Sequence, residues 1–221
     1  IDKGGGLGDN WQQFNTCAVN RLEFEYNAGQ PLRYSANLIG GGSSGYAKGQ
    51  AAPASLSIAP VHEAALVLGQ HVKFYIADTT STLLNETADT TPMTNAYRFY
   101  PARFRIAVDN GLADFVTSAT DPYNDVPRRD RAVEIAGEFS MPIIETSASY
   151  SDALEFLSDY EARTLKKMIM SCQYTNNSID YFLNFIIPAL QLISKSGWDL
   201  STRGRIQPTF GFRCVSHPDG L

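Results

Sequence analysis

Cysteine is scarce in this chain and odd in number: Cys17, Cys172 and Cys214, with no short spacing between any two. That excludes a disulfide framework and a cysteine-based zinc site. Reduced thiols buried as small apolar groups are the expectation. Histidine is equally sparse, and His62, His71 and His217 are too scattered for a zinc triad. Basic charge is also short: 18 Lys and Arg stand against 23 Asp and Glu, a net charge of −5 and a pI of about 5.2. A surface that wraps nucleic acid needs clustered cations, so this balance argues against one; it does not exclude nucleic acid passing nearby. No run approaches the ~18 apolar residues of a membrane-spanning helix.

What is present is ordinary globular composition. The 221 residues are 43% hydrophobic and 19% charged, enough to bury a real core in one large all-β domain. The chain opens on Ile1 and a glycine-rich stretch, Gly4 to Gly8, which suits a linker after something upstream. Residues 1–18 are therefore expected to be an arm or linker, and 19–221 the domain.

The clearest pattern is a two-faced hairpin. Leu22, Phe24 and Tyr26 alternate with Arg21, Glu23 and Glu25. Asn27-Ala28-Gly29 supplies residues that tolerate positive φ. Leu32, Tyr34, Ala36 and Leu38 then alternate with Arg33, Ser35 and Asn37. The spacing predicts one oily face and one wet face, with Arg21 and Arg33 able to pair with the acids. Residues 40–60, rich in Gly, Ala and Ser, read as a loop, as do the Thr-rich residues 78–96.

Further strands are predicted at 72–77, at 103–108 closing on Asp109-Asn110-Gly111, and around Val133, Ile135, Phe139 and Met141 with Gly137 as a bulge. Leu154, Leu157, Glu161 and Leu165 fall at helical spacing, with Phe156 and Tyr160 on the same side, and Ser149 with Asp152 resembles a capping box. This predicts one helix over 151–164, with Glu155, Asp159 and Arg163 outward. Period two returns at 167–174, turns at Asn176-Asn177, runs back over 181–187 and recurs at 207–217. The predicted class is mainly β: an antiparallel sandwich or barrel with one helix on its side.

Catalytic signatures match by spelling alone. Gly41-Gly42-Ser43-Ser44-Gly45 fits a nucleophile elbow, and Gly40, Gly42 and Gly45 with Glu63 downstream fit a dinucleotide fingerprint. Both require a helix at once, and Gly49 and Pro53 oppose one. Asp121 to Asp125 lacks the spacing of a calcium loop. Arg128, Arg129 and Arg131 read as a solvated strand edge or an ion pair across a subunit contact. Catalytic residues, cofactor and metal are all expected to be none, with a serine hydrolase using Ser43 as the remote alternative.

The order of features resembles the major tail tube proteins of tailed bacteriophages. An aromatic residue and a cysteine precede "VNRLEFEYNAGQPLRYSANLIGGG"; "RFYPARFRIAVDNGLADF" follows, then "RAVEIAGEFSM", a helix, two long strands and "FGFRCVSH". The family's hairpin motif corresponds to Val19-Asn20-Arg21-Leu22 with Gly29, and its strand end to Ile106, Val108, Asp109 and Asn110. The resemblance spans roughly residues 11–217.

It implies a β-sandwich with a flanking helix, six-membered rings stacked into a tube, and sheets joined between subunits into a barrel around a lumen. Glu23, Glu25, Ser35 and Asn37 are then expected on the lumen face, where acidity would repel passing DNA. Thr80, Leu83, Leu84, Asn85, Glu86, Thr91 and Met93 are expected in a loop that reaches another subunit or ring. The implied partners are further copies and other tail proteins (tape measure, terminator, baseplate or tip), with DNA only in transit. The implied location is the virion tail, assembled in the host cytoplasm. A tail terminator, adaptor or capsid decoration protein is the nearest alternative.

Overall fold

The computed structural model describes residues 11–14, 17–40, 46–50, 71–79, 98–113, 128–141, 153–176, 179–197 and 207–215. In chain order its elements are β1 (Trp11–Phe14), β2 (Cys17–Asn27), β3 (Arg33–Gly40), β4 (Tyr46–Gln50), β5 (Val72–Asp78), β6 (Arg98–Phe99), β7 (Arg103–Asp109), β8 (Leu112–Ala113), β9 (Arg128–Arg129), β10 (Glu134–Ser140), α1 (Ala153–Ala162), β11 (Leu165–Asn176), β12 (Ile179–Ser196) and β13 (Thr209–Cys214). Nine strands form one large antiparallel sheet in the order β3-β2-β7-β10-β13-β12-β11-β5-β6. The pairs β1-β4 and β8-β9 stand apart from it.

By its internal contacts the chain divides into two compact units. One comprises Ile1–Glu23, Ser35–Glu63 and Val108–Glu134, the other Phe24–Tyr34, Ala64–Ala107 and Ile135–Leu221. The first holds a pairing of two strands that local sequence does not announce. β4 lies inside the stretch read as a glycine loop, and β1 inside the expected arm; Phe14 faces Tyr46 and Gln12 faces Lys48. Each strand is short, and its partner is more than thirty residues away in the chain.

The second unit carries the core, and it is aromatic. Phe74, Phe99, Phe104, Phe139, Phe156, Phe210 and Phe212 are fully buried. Phe139 lies 4.9 Å from Phe156 and 5.6 Å from Phe210, centroid to centroid. Rings of this size contribute about 1.5–3 kcal/mol each on burial, with a further increment from edge-to-face geometry. Tyr26 of β2 and Phe74 of β5 touch at 4.9 Å, although five strands separate β2 from β5 in the sheet. The sheet therefore curls around its own side chains.

Alternation holds where one face is covered. Phe104 and Ile106 are buried on β7, and Phe210 and Phe212 on β13, each between more exposed neighbours. It fails on β5 and β11, where Phe74 to Ala77 and Lys166 to Cys172 are buried without a break. These are central strands, covered on both sides. It fails in the opposite sense on β3, whose Tyr34 and Leu38 are 76% and 57% exposed. β3 is the last strand at one end of the sheet.

Gly137 is not a bulge. The β10-β13 register runs unbroken from Ala136↔Arg213 to Ser140↔Thr209, with Gly137 opposite Phe212. A Cβ there would strike the Phe212 ring and the Arg105 carbonyl oxygen, so the position needs glycine for a close approach. Two register shifts lie on β12 instead, one of them leaving Ile193 extra between Leu192↔Phe212 and Ser194↔Gly211. β12 runs on well past residue 187, and Pro188 with Ala189 opposes Lys167 where the register shifts between Lys166 and Met168. Proline has no N–H to give the ladder, and a bulge is where a strand tolerates that loss.

The buried face of α1 is set by Ala153 and Phe156, with Leu157 and Tyr160 half-buried; Leu154 is exposed, contrary to expectation. These positions follow i, i+3, i+4, i+7 from Ala153. Leu165 is not in the helix at all: it opens β11. The chain leaves α1 through Arg163, at φ 52°. The Thr164 N–H donates to the Asp159 carbonyl at 3.0 Å and the Arg163 N–H to the Tyr160 carbonyl at 3.3 Å. This is a Schellman cap with arginine at the position that favours glycine, a backbone choice costing about 1 kcal/mol.

Candidate functional site

The expected polar face divides between the two units. In the first, Arg21 Nη2 lies 3.4 Å from Glu23 Oε2, and Ser35 and Asn37 are exposed on β3. In the second, Glu25 accepts from Asn27 Nδ2 at 3.2 Å and has Arg103 Nη2 at 3.5 Å. Arg103, from the neighbouring β7, thus takes a place that local sequence assigned to Arg33.

Charge in the second unit alternates by strand: Glu25 on β2, Arg103 and Arg105 on β7, Glu138 on β10, Arg213 on β13. Glu138 sits opposite Gly211, one diagonal step from Arg213. In this unit acids and guanidiniums thus come from adjacent strands, two of the former and three of the latter. Distant sequence positions supply the two signs, so no local window shows the ladder.

The Val19-Asn20 segment of β2 and the Asp109-Asn110 end of β7 meet within the first unit. Asn110 donates through its backbone N–H to the Asn20 carbonyl at 2.8 Å and through Nδ2 to the Val19 carbonyl at 2.8 Å. Asn20 Oδ1 accepts from the Leu112 N–H at 2.9 Å. Asp109 Oδ1 accepts from the Gly111 N–H at 2.9 Å, and Arg131 Nη2 lies 2.8 Å from Asp109 Oδ2. The Gly111 bond first, and the Arg131 guanidinium after it, hold the Asp109 carboxyl below its ordinary range. Gly111 has φ 61°, and a Cβ there would strike Arg131. Asn20, Asp109 and Asn110 thus tie strand ends together, and Arg131 serves an ion pair inside the chain.

A second polar cluster was not foreseen. Lys166 is 5% exposed, and its Nζ lies 2.8 Å from Asp78 Oδ1 and 3.0 Å from Asp159 Oδ1. Asp78 is 66% exposed and Asp159 only 14%, so Asp159 is the stronger partner despite the longer distance. Asp159 Oδ2 is buried without a hydrogen bond. Burial, outweighing Lys166, raises the Asp159 carboxyl above its ordinary value. Asp159 was expected outward by helical spacing; a buried lysine from the next strand draws it in.

Thr80, Leu83, Leu84, Asn85, Glu86, Thr91 and Met93 lie outside the described residues, as do Ser43, Glu63, His62, His217, the Asp121 to Asp125 stretch and the Ser149–Asp152 pair. Cys172 and Cys214 are free thiols that burial pushes up to about 11, too high for reactivity near neutral pH. Cys17 is exposed, unlike the expectation. Among the described residues no three His, Cys, Asp or Glu gather where they could hold a metal ion, and no helix is long and apolar enough to cross a membrane. What this geometry offers is a polar sheet face and an open sheet edge. No protein-family model matches the chain, and no curated protein matches it.

Proposed function

We propose that this chain is a major tail tube subunit of a tailed bacteriophage, a structural virion protein without catalytic activity. Six copies form a ring, and stacked rings form the conduit through which the genome is delivered. In this reading the curled sheet is a β-sandwich, and its strands continue from copy to copy into a barrel around the lumen. The observation that carries it is β3. Among the described residues β3 is an eight-residue strand at the end of the sheet, with Tyr34 and Leu38 exposed, and an end strand presents a row of N–H and C=O groups to a further strand. It carries one charged residue, Arg33, and no proline. A monomer that keeps such an edge risks aggregation; a head-to-tail ring gives it a defined partner strand.

The mixing of acids and guanidiniums on neighbouring strands suits a conduit. A duplex sliding past paired acids and guanidiniums meets no cationic patch large enough to release many counterions and hold it. The chain's overall negative charge works in the same direction.

Cryo-electron microscopy of the purified protein at rising concentration tests the proposal. Stacked six-membered rings with strands continuous between subunits are expected. A closed dimer, or monomers that persist at high concentration, would overturn it. Deleting Thr80 to Asn95 is expected to leave a folded monomer with unchanged circular dichroism and no polymer. Normal tubes from that deletion would remove the segment from assembly while leaving the edge-strand argument standing.

A further inference from the structure

At the C-terminal end of α1 the chain holds an open cleft of about 370 Å³ beside the paired strands β12 and β13. Arg163 and Arg213 line it with Tyr160, Glu161 and Gln191, and the exposed Ile193 supplies apolar surface. Lys195 lies nearby, with Nζ 5.2 Å from the Tyr160 ring centroid and 3.4 Å from Glu161 Oε1. Two arginines therefore line the cleft with one carboxylate that Lys195 already engages, in a chain whose net charge is −5. Arg163 is held in its left-handed conformation by the Schellman bonds, and Gln191 Nε2 donates to its carbonyl at 3.4 Å. A strained arginine where glycine would serve the turn better points to use of the side chain.

We propose that this cleft is a socket for a carboxylate side chain presented by a second copy of the chain, an inference that rests on the tube reading above. The lining selects the ligand. A planar carboxylate matches a guanidinium in two parallel hydrogen bonds, and the exposed Ile193 covers its methylene stem. A phosphate, with more charge, would be opposed by Glu161 and by the terminal carbonyls of α1. The cleft is too open to hold a lone small anion tightly, so it gains affinity when its ligand is tethered within a repeating assembly. A second copy fits because every copy presents an excess of acidic residues along with the same cationic socket.

Sedimentation velocity across a concentration series tests this on wild type, Arg213→Lys and Arg213→Glu, with near-UV circular dichroism confirming the fold. The wild-type assembly threshold is expected to rise with sodium chloride. Arg213→Glu is expected to raise it at least tenfold. Arg213→Lys, which keeps the charge and loses the fork, is expected to fall between. Should the glutamate variant unfold, Arg213→Gln replaces it with the same expected direction. An unchanged threshold in folded variants, from a wild type that assembles, overturns the socket and leaves the tube reading intact. A wild type that never assembles overturns the tube reading and the second-copy occupant together.

Discussion

At the scale of single residues, the buried lysine is the position where one substitution decides most. Lys166→Ala would leave Asp159 enclosed without its cation, and a loss of about 3–5 kcal/mol is expected by urea denaturation. Asp78→Ala removes the shorter contact but a largely solvated partner, so less than about 1 kcal/mol is expected there. Equal losses would mean that Asp159 is not the dominant partner. Asp109 gives a pH dependence of defined sign. Its folded-state carboxyl is depressed, so its contribution is present above the ordinary carboxylate value and is lost as pH falls through the lower folded-state value. Asp109→Asn is expected to flatten the acid limb of stability between about pH 5 and pH 2, read as denaturation midpoints at each pH. Neither role was legible beforehand. Asp109 was visible as a turn former, but its ion-pair partner Arg131 lies 22 residues away, and Lys166 lies between the predicted helix and the predicted strand.

Elements were legible wherever a strand has one covered face. β2, β7 and β13 alternate in sequence because water lies on one side and aromatic rings on the other. β5 and β11 are buried on both faces, so period two there says little about which side chains meet. β4 was invisible because its pairing is non-local and its composition is that of a loop. The helix was found, with Phe156, Leu157 and Tyr160 on its inward side as expected and Leu154 misplaced there. The core takes Ala153 in its stead, beside a Phe156 ring that the Phe139–Phe210 cluster fixes. Two element-level substitutions follow. Gly137→Ala puts a methyl into the Phe212 ring and the Arg105 carbonyl, with an expected cost of about 1–3 kcal/mol. Arg163→Gly relaxes the end of α1 and is expected to raise the melting temperature of the unassembled protein by about 2–4 °C. A lower melting temperature for Arg163→Gly would mean that the arginine side chain contributes more than its backbone costs.

For the whole molecule, the ion-paired acids of β2 yield a test of where its polar face would lie in the proposed tube. Replacing Glu23 and Glu25 with Lys removes partners from Arg21 and Arg103 and leaves a cationic stripe. On a lumen wall, tubes still form, retain DNA and lower infectivity; at a subunit contact, like charges meet and rings fail while the monomer stays folded. Electron microscopy with a nuclease-protection assay separates the two. The curling of the sheet has a kinetic consequence as well. Tyr26 and Phe74 touch at 4.9 Å across five intervening strands, and Phe24 meets Phe185 at 4.4 Å across an even longer stretch of chain. Such contacts form only after long loops have closed, so folding on the millisecond-to-second scale of β-rich topologies is expected. Until they form, apolar faces and strand edges are exposed together, and concentration favours mispairing over ordered assembly. Refolding yield is therefore expected to fall as protein concentration rises at fixed temperature, and in the proposed ring a newly made chain would have to finish curling before its edge strand met another copy.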